Sequence, residues 1–340
     1  MDVIKEARFW ETRPEKAVQC LLCPHRCVVR PGKRGICGVR ENRDGRLYSL
    51  IYAACSSIHP DPIEKKPLYH FYPGTSALSL GTVGCNLSCL HCQNYAISQA
   101  GPEDLDLTEL PPEEAAATAR RSGCRGIAYT YNEPSIWWEY TCDSARIAKG
   151  EGLYTAYVTN GYTGEDAIRE IAPHLDAANV DIKTMSEDFY RRICKARLQP
   201  VLDSCQVYKE RGVHLELTYL VIPGYNDTEE EMEAFARWVA EELDPHTPVH
   251  FSAFYPQYKM TDVPPTPLST LERALAIAKK QRLPYVYLGN VPHGDYENTY
   301  CPRCGKLLIR RHGFSARVEG LRGASCAHCG EKIPVTVGPD

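Results

Sequence analysis

The sequence predicts an α/β fold: an open, partial (β/α)6 barrel of the TIM-like kind, with a small N-terminal cysteine-rich module and a C-terminal zinc-ribbon-like module. Three observations point there. Short apolar runs alternate with longer helical patterns over residues 73–291. Eleven of the sixteen cysteines fall into three tight clusters. Two of those clusters lie outside the alternating region, one at each end of the chain, and the third directly follows its first apolar run.

The first module, residues 1–72, is rich in Pro, Gly and Arg, and it ends at the turn Tyr72-Pro73-Gly74-Thr75. Strand patterns follow at Ala77 to Gly81, Gly126 to Thr130, Tyr154 to Thr159, Ala178 to Ile182, Leu215 to Val221, Val249 to Phe254 and Tyr285 to Leu288. Helical patterns lie between them at Pro112 to Ser122, Cys142 to Gly150, Asp227 to Leu243 and Ser269 to Gln281, several opening on Thr, Asp or Ser caps. Strands joined by such crossovers form a parallel sheet with right-handed connections. About six units are too few to close an eight-stranded barrel, so an open one is expected, with its functional face at the C-terminal strand ends. Residues 292–340 carry Cys301-x2-Cys304 and Cys326-x2-Cys329, each pair followed by a glycine, Gly305 or Gly330. Paired knuckles of this kind are the pattern of a zinc ribbon.

With 340 residues, 43% of them hydrophobic, the chain can bury a substantial core. A net charge of only -4 gives no electrostatic footprint for nucleic acid or membrane. The N-terminus, Met1-Asp2-Val3-Ile4-Lys5-Glu6, has no apolar signal segment, and no stretch reaches membrane-spanning length. A cytoplasmic, reducing location is therefore expected, in which clustered cysteines read as metal ligands.

The loop after the first strand, Gly84-Cys85-Asn86-Leu87-Ser88-Cys89-Leu90-His91-Cys92-Gln93-Asn94, has C-x3-C-x2-C spacing. Cys85, Cys89 and Cys92 can hold three corners of a cubane iron-sulfur cluster, whereas a cluster that only carries electrons normally has four cysteine ligands. The open iron could chelate the amine and carboxylate of S-adenosylmethionine. A partial zinc knuckle is the alternative, with His91 as fourth ligand, but His91 sits between two cysteines where reaching the same ion would strain the turn.

Polar residues at the later strand ends are candidates for cofactor contacts: Asn132 and Glu133, Thr159 and Asn160 before Gly161, Asp181 and Lys183 on one face of their strand, Val221, and His250. Ordinary readings stand beside each: a solvated glutamate, an Asn-Gly turn, a simple ion pair, core packing, a hydrogen-bonded core histidine. In the first module Cys20, Cys23, Cys27 and Cys37, near His25 and Cys55, suit either zinc or an auxiliary iron-sulfur cluster. Zinc is preferred there because the C-terminal ribbon already implies structural metal. Cys124, Cys142, Cys194 and Cys205 read as packing residues.

The Cys85 loop resembles the signature of radical S-adenosylmethionine (radical SAM) enzymes. From Leu78 to about Leu288 the chain is similar to the activases of glycyl radical enzymes, in the pyruvate formate-lyase activating class. It resembles more closely the radical SAM enzyme of the AmmeMemoRadiSam system. That likeness rests on the segments from Cys20 to Cys27, Gly35 to Arg40, Tyr129 to Pro134, Tyr258 to Pro267 and Gly289-Asn290-Val291. The resemblance implies a radical SAM barrel, Cys85, Cys89 and Cys92 as ligands of a 4Fe-4S cluster, and His91 where an aromatic residue usually touches adenine. Glu133 takes the place of the glutamate of the family's Gly-Gly-Glu motif, with Tyr131-Asn132 in place of its glycines, and Asp181 and Lys183 match the activases' Asp-x-Lys. Val158 stands where activases have an aspartate.

The expected activity is reductive cleavage of S-adenosylmethionine to a 5'-deoxyadenosyl radical that abstracts hydrogen from a small molecule. The electron would come from a reduced ferredoxin or flavodoxin type donor, and the resemblance implies Memo-like and Amme-like partner proteins. Two alternatives are an activase that installs a glycyl radical on a partner protein, and a zinc-ribbon RNA- or protein-binding module. The last would use Arg310, Arg311, Arg317 and Arg322, although four arginines on a short hairpin usually form a solvated face.

Overall fold

Seven parallel strands cross the central sheet in the order in which they occur in the chain: Ser76–Gly81, Gly126–Tyr129, Tyr154–Thr159, Ala177–Asp181, His214–Val221, Val249–Ala253 and Val286–Gly289. The computed structural model describes residues 3–292 and 294–338. Each expected strand is present, displaced by no more than one residue at either end. Their apolar runs are buried along almost their whole length, as befits strands covered on both faces. A strictly sequential order joined by right-handed crossovers sends every connecting helix to the same side of the sheet.

Those helices are Pro112–Arg121, Trp138–Gly150, Glu165–Ile171, Gln199–Glu210, Glu229–Trp238 and Leu268–Lys280. The second begins earlier than its Cys142 expectation because aromatic residues extend its buried face: Trp137 stacks on Tyr140 at 4.1 Å, and Trp138 Nε1 donates to the Ala167 carbonyl at 3.0 Å. Thr228 caps Glu229–Trp238 by accepting from the Glu231 amide. Glu165–Ile171 and Gln199–Glu210 are helices the sequence pattern did not single out.

An eighth strand, Ser57–Pro62, lies antiparallel to Ser76–Gly81 at the sheet's edge, with Ser57 opposite Gly81 and Pro62 opposite Ser76. It precedes Tyr72, so part of the first module's sequence completes the sheet. Pro60 and Pro62 lie within it and have no amide hydrogen to offer a further strand.

The face away from the helices needs its own cover, and residues 63–72 supply it. Leu68, Tyr69, His70 and Phe71 are buried, Asn179 Nδ2 donates to the Pro67 carbonyl, and Glu216 accepts from the amides of Tyr69 and His70 at 3.0 and 2.7 Å. Glu216 is fully buried and also receives His214 and His250, whose Nε2 atoms lie 3.0 and 2.7 Å away. The C-terminal segment packs on the same cover. Arg311, 4% exposed, donates to the carbonyls of Glu297 and Tyr69 and lies 3.7 Å from Glu64, while Tyr69, Tyr285, Tyr287, Leu308 and Ile309 share one apolar cluster. Among the described residues no helix is long and apolar enough to cross a membrane.

Burial alone would push the Glu216 carboxyl up, but hydrogen bonds from His214 and His250 hold it well below its ordinary 4.5. A carboxyl depressed on folding adds stability that is complete above its unfolded pKa and is lost progressively as pH falls from there through the folded pKa. Replacing Glu216 with Ala should therefore cost about 3–5 kcal/mol at neutral pH, as loss of one buried ionic partner does. Urea denaturation at pH 7 and about pH 4 should show the gap between variant and wild type narrowing on acidification.

Candidate active site

The Cys85 loop leaves the first parallel strand at Gly81 and is held mainly by backbone contacts. Gly84 adopts a φ of +84°, and a Cβ there would stand 2.6 Å from the Cys37 carbonyl oxygen and 2.7 Å from Val39. Only glycine fits both the conformation and the space. Asn132 bridges the start of the loop, accepting from the Thr82 amide at 3.1 Å and donating to the Gly84 carbonyl at 2.9 Å. Further along, the amides of Ser88 and Leu90 donate to the carbonyls of Cys194 and Ile193 at 3.1 and 3.2 Å. Tyr131, in a position where the resembled motif has glycine, takes a left-handed φ of +74° and anchors its hydroxyl on Asp61 at 2.6 Å.

The three thiols have distinct surroundings. Cys85 Sγ accepts from the Leu87 amide at 3.4 Å and from Asn160 Nδ2 at 3.7 Å, and Cys92 Sγ lies 3.2 Å from Ser98 Oγ. A hydrogen bond from Cys194, and then Lys183 acting against burial, lower the Cys89 pKa, whereas burial raises those of Cys85 and Cys92. A single zinc ion holds its thiolates about 4 Å apart. Among the described residues, only the C-terminal quartet brings three or more ligand atoms within 4.8 Å of one another. The Cys85 trio is more widely spread, as it must be when each thiolate serves a different iron of a cubane.

Around this loop the candidate residues divide into two groups. Glu133, 1% exposed, accepts from Ser135 N, Thr159 Oγ1 and Asn160 N at 2.9, 2.7 and 2.8 Å. Asn160 carries the line onward through Nδ2 to Cys85 Sγ and to Asn86 Oδ1 at 2.9 Å. Glu133, Thr159 and Asn160 thus form one hydrogen-bonded path to the first thiol. Gly161 at φ +68° makes the turn possible, since a Cβ would meet Val180 and Val201 at 2.8 and 3.0 Å. The second group faces Cys89. Lys183 Nζ donates to Asp181 Oδ2 at 2.7 Å, and although burial alone would lower its pKa, Asp181 and Cys89 hold it above the usual range. His91 is 4% exposed with both ring nitrogens unpartnered, and burial followed by Lys183 pushes its pKa down to about 3. Leaving such buried polar atoms unsatisfied costs about 1–3 kcal/mol each, so His91 suits a ligand that reaches its nitrogens.

Val221 is fully buried at its strand end, with its carbonyl accepting from Thr266 Oγ1. His250 aligns across the strands with Thr218 and Asp181, but its Nε2 is engaged by Glu216. Sequence reasoning passed over Asn86 and Gly84, although both lie inside the cysteine motif. It read Cys194 as packing alone, and no sequence signal joins Cys194 to a loop a hundred residues earlier.

The C-terminal quartet has the spacing a single tetrahedral ion requires. Cys301 and Cys329 Sγ are 3.6 Å apart, Cys304 and Cys326 3.7 Å. Gly305 and Gly330 close the two knuckles with left-handed turns, their amides donating to the Cys301 and Cys326 carbonyls at 2.9 Å. Cys20, Cys23, Cys27 and Cys37 surround a narrow, enclosed cavity and do not converge to that spacing. Arg311 is enclosed and Arg310 pairs with Glu319, so two of the four arginines considered for phosphate are already committed.

Comparison with known proteins agrees with this geometry. Residues 79–239 match the family described as the Radical SAM superfamily. An uncharacterized protein of Methanocaldococcus jannaschii is 45% identical over 336 residues, covering 98% of this chain and 100% of that one. The pyruvate formate-lyase 1-activating enzyme of Escherichia coli K12 is 22% identical over 58% of this chain and 86% of its own. The isethionate sulfite-lyase activating enzyme of Desulfovibrio desulfuricans is 29% identical over 39% of this chain and 43% of its own. In structure, Streptococcus suis SuiB bound to precursor peptide SuiA superposes with a TM-score of 0.51 at 13% identity, covering 68% of this chain and 52% of that one, a likeness of fold.

Gly84→Ala should lower the urea midpoint well beyond Gly123→Ala. Both glycines have positive φ, so both changes carry backbone strain of about 1 kcal/mol, but nothing lies within 4 Å of a Cβ at Gly123. Equal effects would mean that the contact with Cys37 is without consequence.

Proposed function

The chain belongs to the radical SAM superfamily, and on that premise we propose that Cys85, Cys89 and Cys92 hold a site-differentiated 4Fe-4S cluster at which S-adenosylmethionine is reductively cleaved. When bound, this group supplies the electron and the open iron, and the cleavage yields a 5'-deoxyadenosyl radical that takes hydrogen from a small-molecule substrate. The observation that carries the reading is the spread of the three thiols beside a buried histidine with two unpartnered nitrogens. Lys183, the cation facing Cys89, would receive the methionyl carboxylate, and Asp181, its partner at 2.7 Å, would hold that ammonium in place or meet a ribose hydroxyl. His91 would offer its nitrogens or its ring to the adenine. Glu133 and Asn160 act on Cys85 by hydrogen bonding, and Glu133 Oε2, with one donor in place, retains a lone pair for the substrate amine. His250 is a positioning residue in this reading, because Glu216 holds it.

The same reading divides the chain into a cysteine-rich module at 1–72, a partial radical SAM barrel at 73–291 and a zinc ribbon at 292–340. It places zinc at Cys301, Cys304, Cys326 and Cys329, takes a reduced ferredoxin or flavodoxin type protein as donor, and assigns the chain to the AmmeMemoRadiSam system with Memo-like and Amme-like partners. The likeness to the two activating enzymes favours a second reading, an activase acting on a partner protein. The two are separated by whether S-adenosylmethionine cleavage is stimulated by small molecules or by a glycyl radical enzyme.

Anaerobically reconstituted protein should form 5'-deoxyadenosine from S-adenosylmethionine on reduction, and Cys85→Ala, Cys89→Ala or Cys92→Ala should each abolish it. Lys183→Met should weaken S-adenosylmethionine binding about tenfold or more in equilibrium dialysis, since a buried charge-assisted bond contributes about 1.5–3 kcal/mol. Wild-type binding in the Lys183→Met protein would remove the lysine from the site.

A further inference from the structure

The three cysteine sites differ in spacing, and the difference sorts the metals they can hold. We propose that Cys20, Cys23, Cys27 and Cys37 carry a second iron-sulfur cluster, ligated at every corner, that accepts an electron from a reduced carrier protein and passes it to the centre at Cys85. The alternative is one zinc ion, which the sequence alone favoured.

At the C-terminal quartet the thiols stand 3.6–3.7 Å apart in pairs. The same chain leaves the N-terminal thiols wider apart, as it does the Cys85 trio, although they line one cavity. A single small ion would leave such thiols unbridged, while a cubane sets each on its own iron. Local backbone fixes the arrangement: the Cys20 amide donates to the Cys27 carbonyl at 2.9 Å, Arg26 turns at φ +47°, and the Ile36 amide donates to Cys27 Sγ at 3.5 Å. A second observation points to an anionic occupant. Arg40 lines the cavity, is 1% exposed and leaves its Nε without a partner, its other nitrogens serving the Arg8 carbonyl and Glu139. A guanidinium held there would donate to a sulfide and offset the charge of four thiolates.

Position supplies the role. Asn86, covalently next to Cys85, also lines this cavity, its carbonyl is 2.7 Å from His25 Nε2, and Gly84 rests on the Cys37 carbonyl. On the other side the cavity is walled by Ile36, 60% exposed, so a carrier protein can approach it closely. A fully ligated cluster is suited to moving electrons and nothing else. One electron enters from the carrier, which is oxidised, and leaves to the Cys85 centre, which is reduced; no bond is made or broken. The electron acceptor in this scheme rests on the function proposed above, whereas the identity of the metal does not.

The test is metal and sulfide analysis with EPR on the full chain, reconstituted anaerobically. The C85A/C89A/C92A variant should retain about four irons and four sulfides and give a dithionite-reduced signal indifferent to S-adenosylmethionine. The C20A/C37A variant should retain a signal that changes when S-adenosylmethionine is added. Reduction of its remaining cluster by reduced flavodoxin should slow at least about tenfold, while dithionite reduces it as in wild type. Loss of all iron from C85A/C89A/C92A, with either a second zinc or no metal at the first module, would overturn the proposal and leave the catalytic reading standing. Iron in that variant, with a C20A/C37A signal that ignores S-adenosylmethionine, would support this site and overturn the catalytic one. Equal reduction rates by flavodoxin would overturn the relay. If the triple variant does not fold, Mössbauer counting on wild-type protein decides the same point: about eight irons in two clusters support the site, about four with two zincs refute it.

Discussion

Gly84 lies where the chain can tolerate no side chain, and much else follows from that contact. The glycine seats the Cys85 loop directly on the Cys37 carbonyl, and the hydrogen bond between His25 and the Asn86 carbonyl joins the first module to the same loop. Asn132, Asn160 and the carbonyls of Ile193 and Cys194 then fix the loop from three other directions. A cysteine loop held by backbone and amide groups keeps its thiols oriented.

The strand run was legible because buried parallel strands are short, apolar and bounded by turn residues. Tyr154–Thr159 appears with the limits its sequence suggests. The strand Ser57–Pro62 was not legible, since two prolines in six residues argue against a strand unless it lies at an edge, and edge status is a property of the whole sheet. Helix Trp138–Gly150 starts early for a similar reason: Trp137, Trp138 and Tyr140 become its buried face only once neighbours pack on them.

At the candidate site, the cysteine loop could be read from spacing alone because all three thiols lie within eight residues. The Asp181 and Lys183 pair followed from strand alternation. Glu133 was visible as a strand-end carboxylate, but its bonds to Thr159 and Asn160 depend on two strands lying side by side. His250 shows the opposite limit. Its partner Glu216 is thirty-four residues away, and only the register of adjacent strands brings them to 2.7 Å. In the first module the sequence left zinc and iron-sulfur open with a preference for zinc, and the spacing of the thiols in space, which bears on that choice, is not encoded by sequence separation.

The two prolines of the edge strand also bear on how the molecule behaves at high concentration. An open sheet has a rim along which a neighbouring copy could add a strand and begin a fibre. Along Ser57–Pro62 that rim lacks two of the donors such growth would need, so self-templated assembly is discouraged where the sheet ends. A sheet can in this way keep an unpaired edge without offering a second copy a full row of donors.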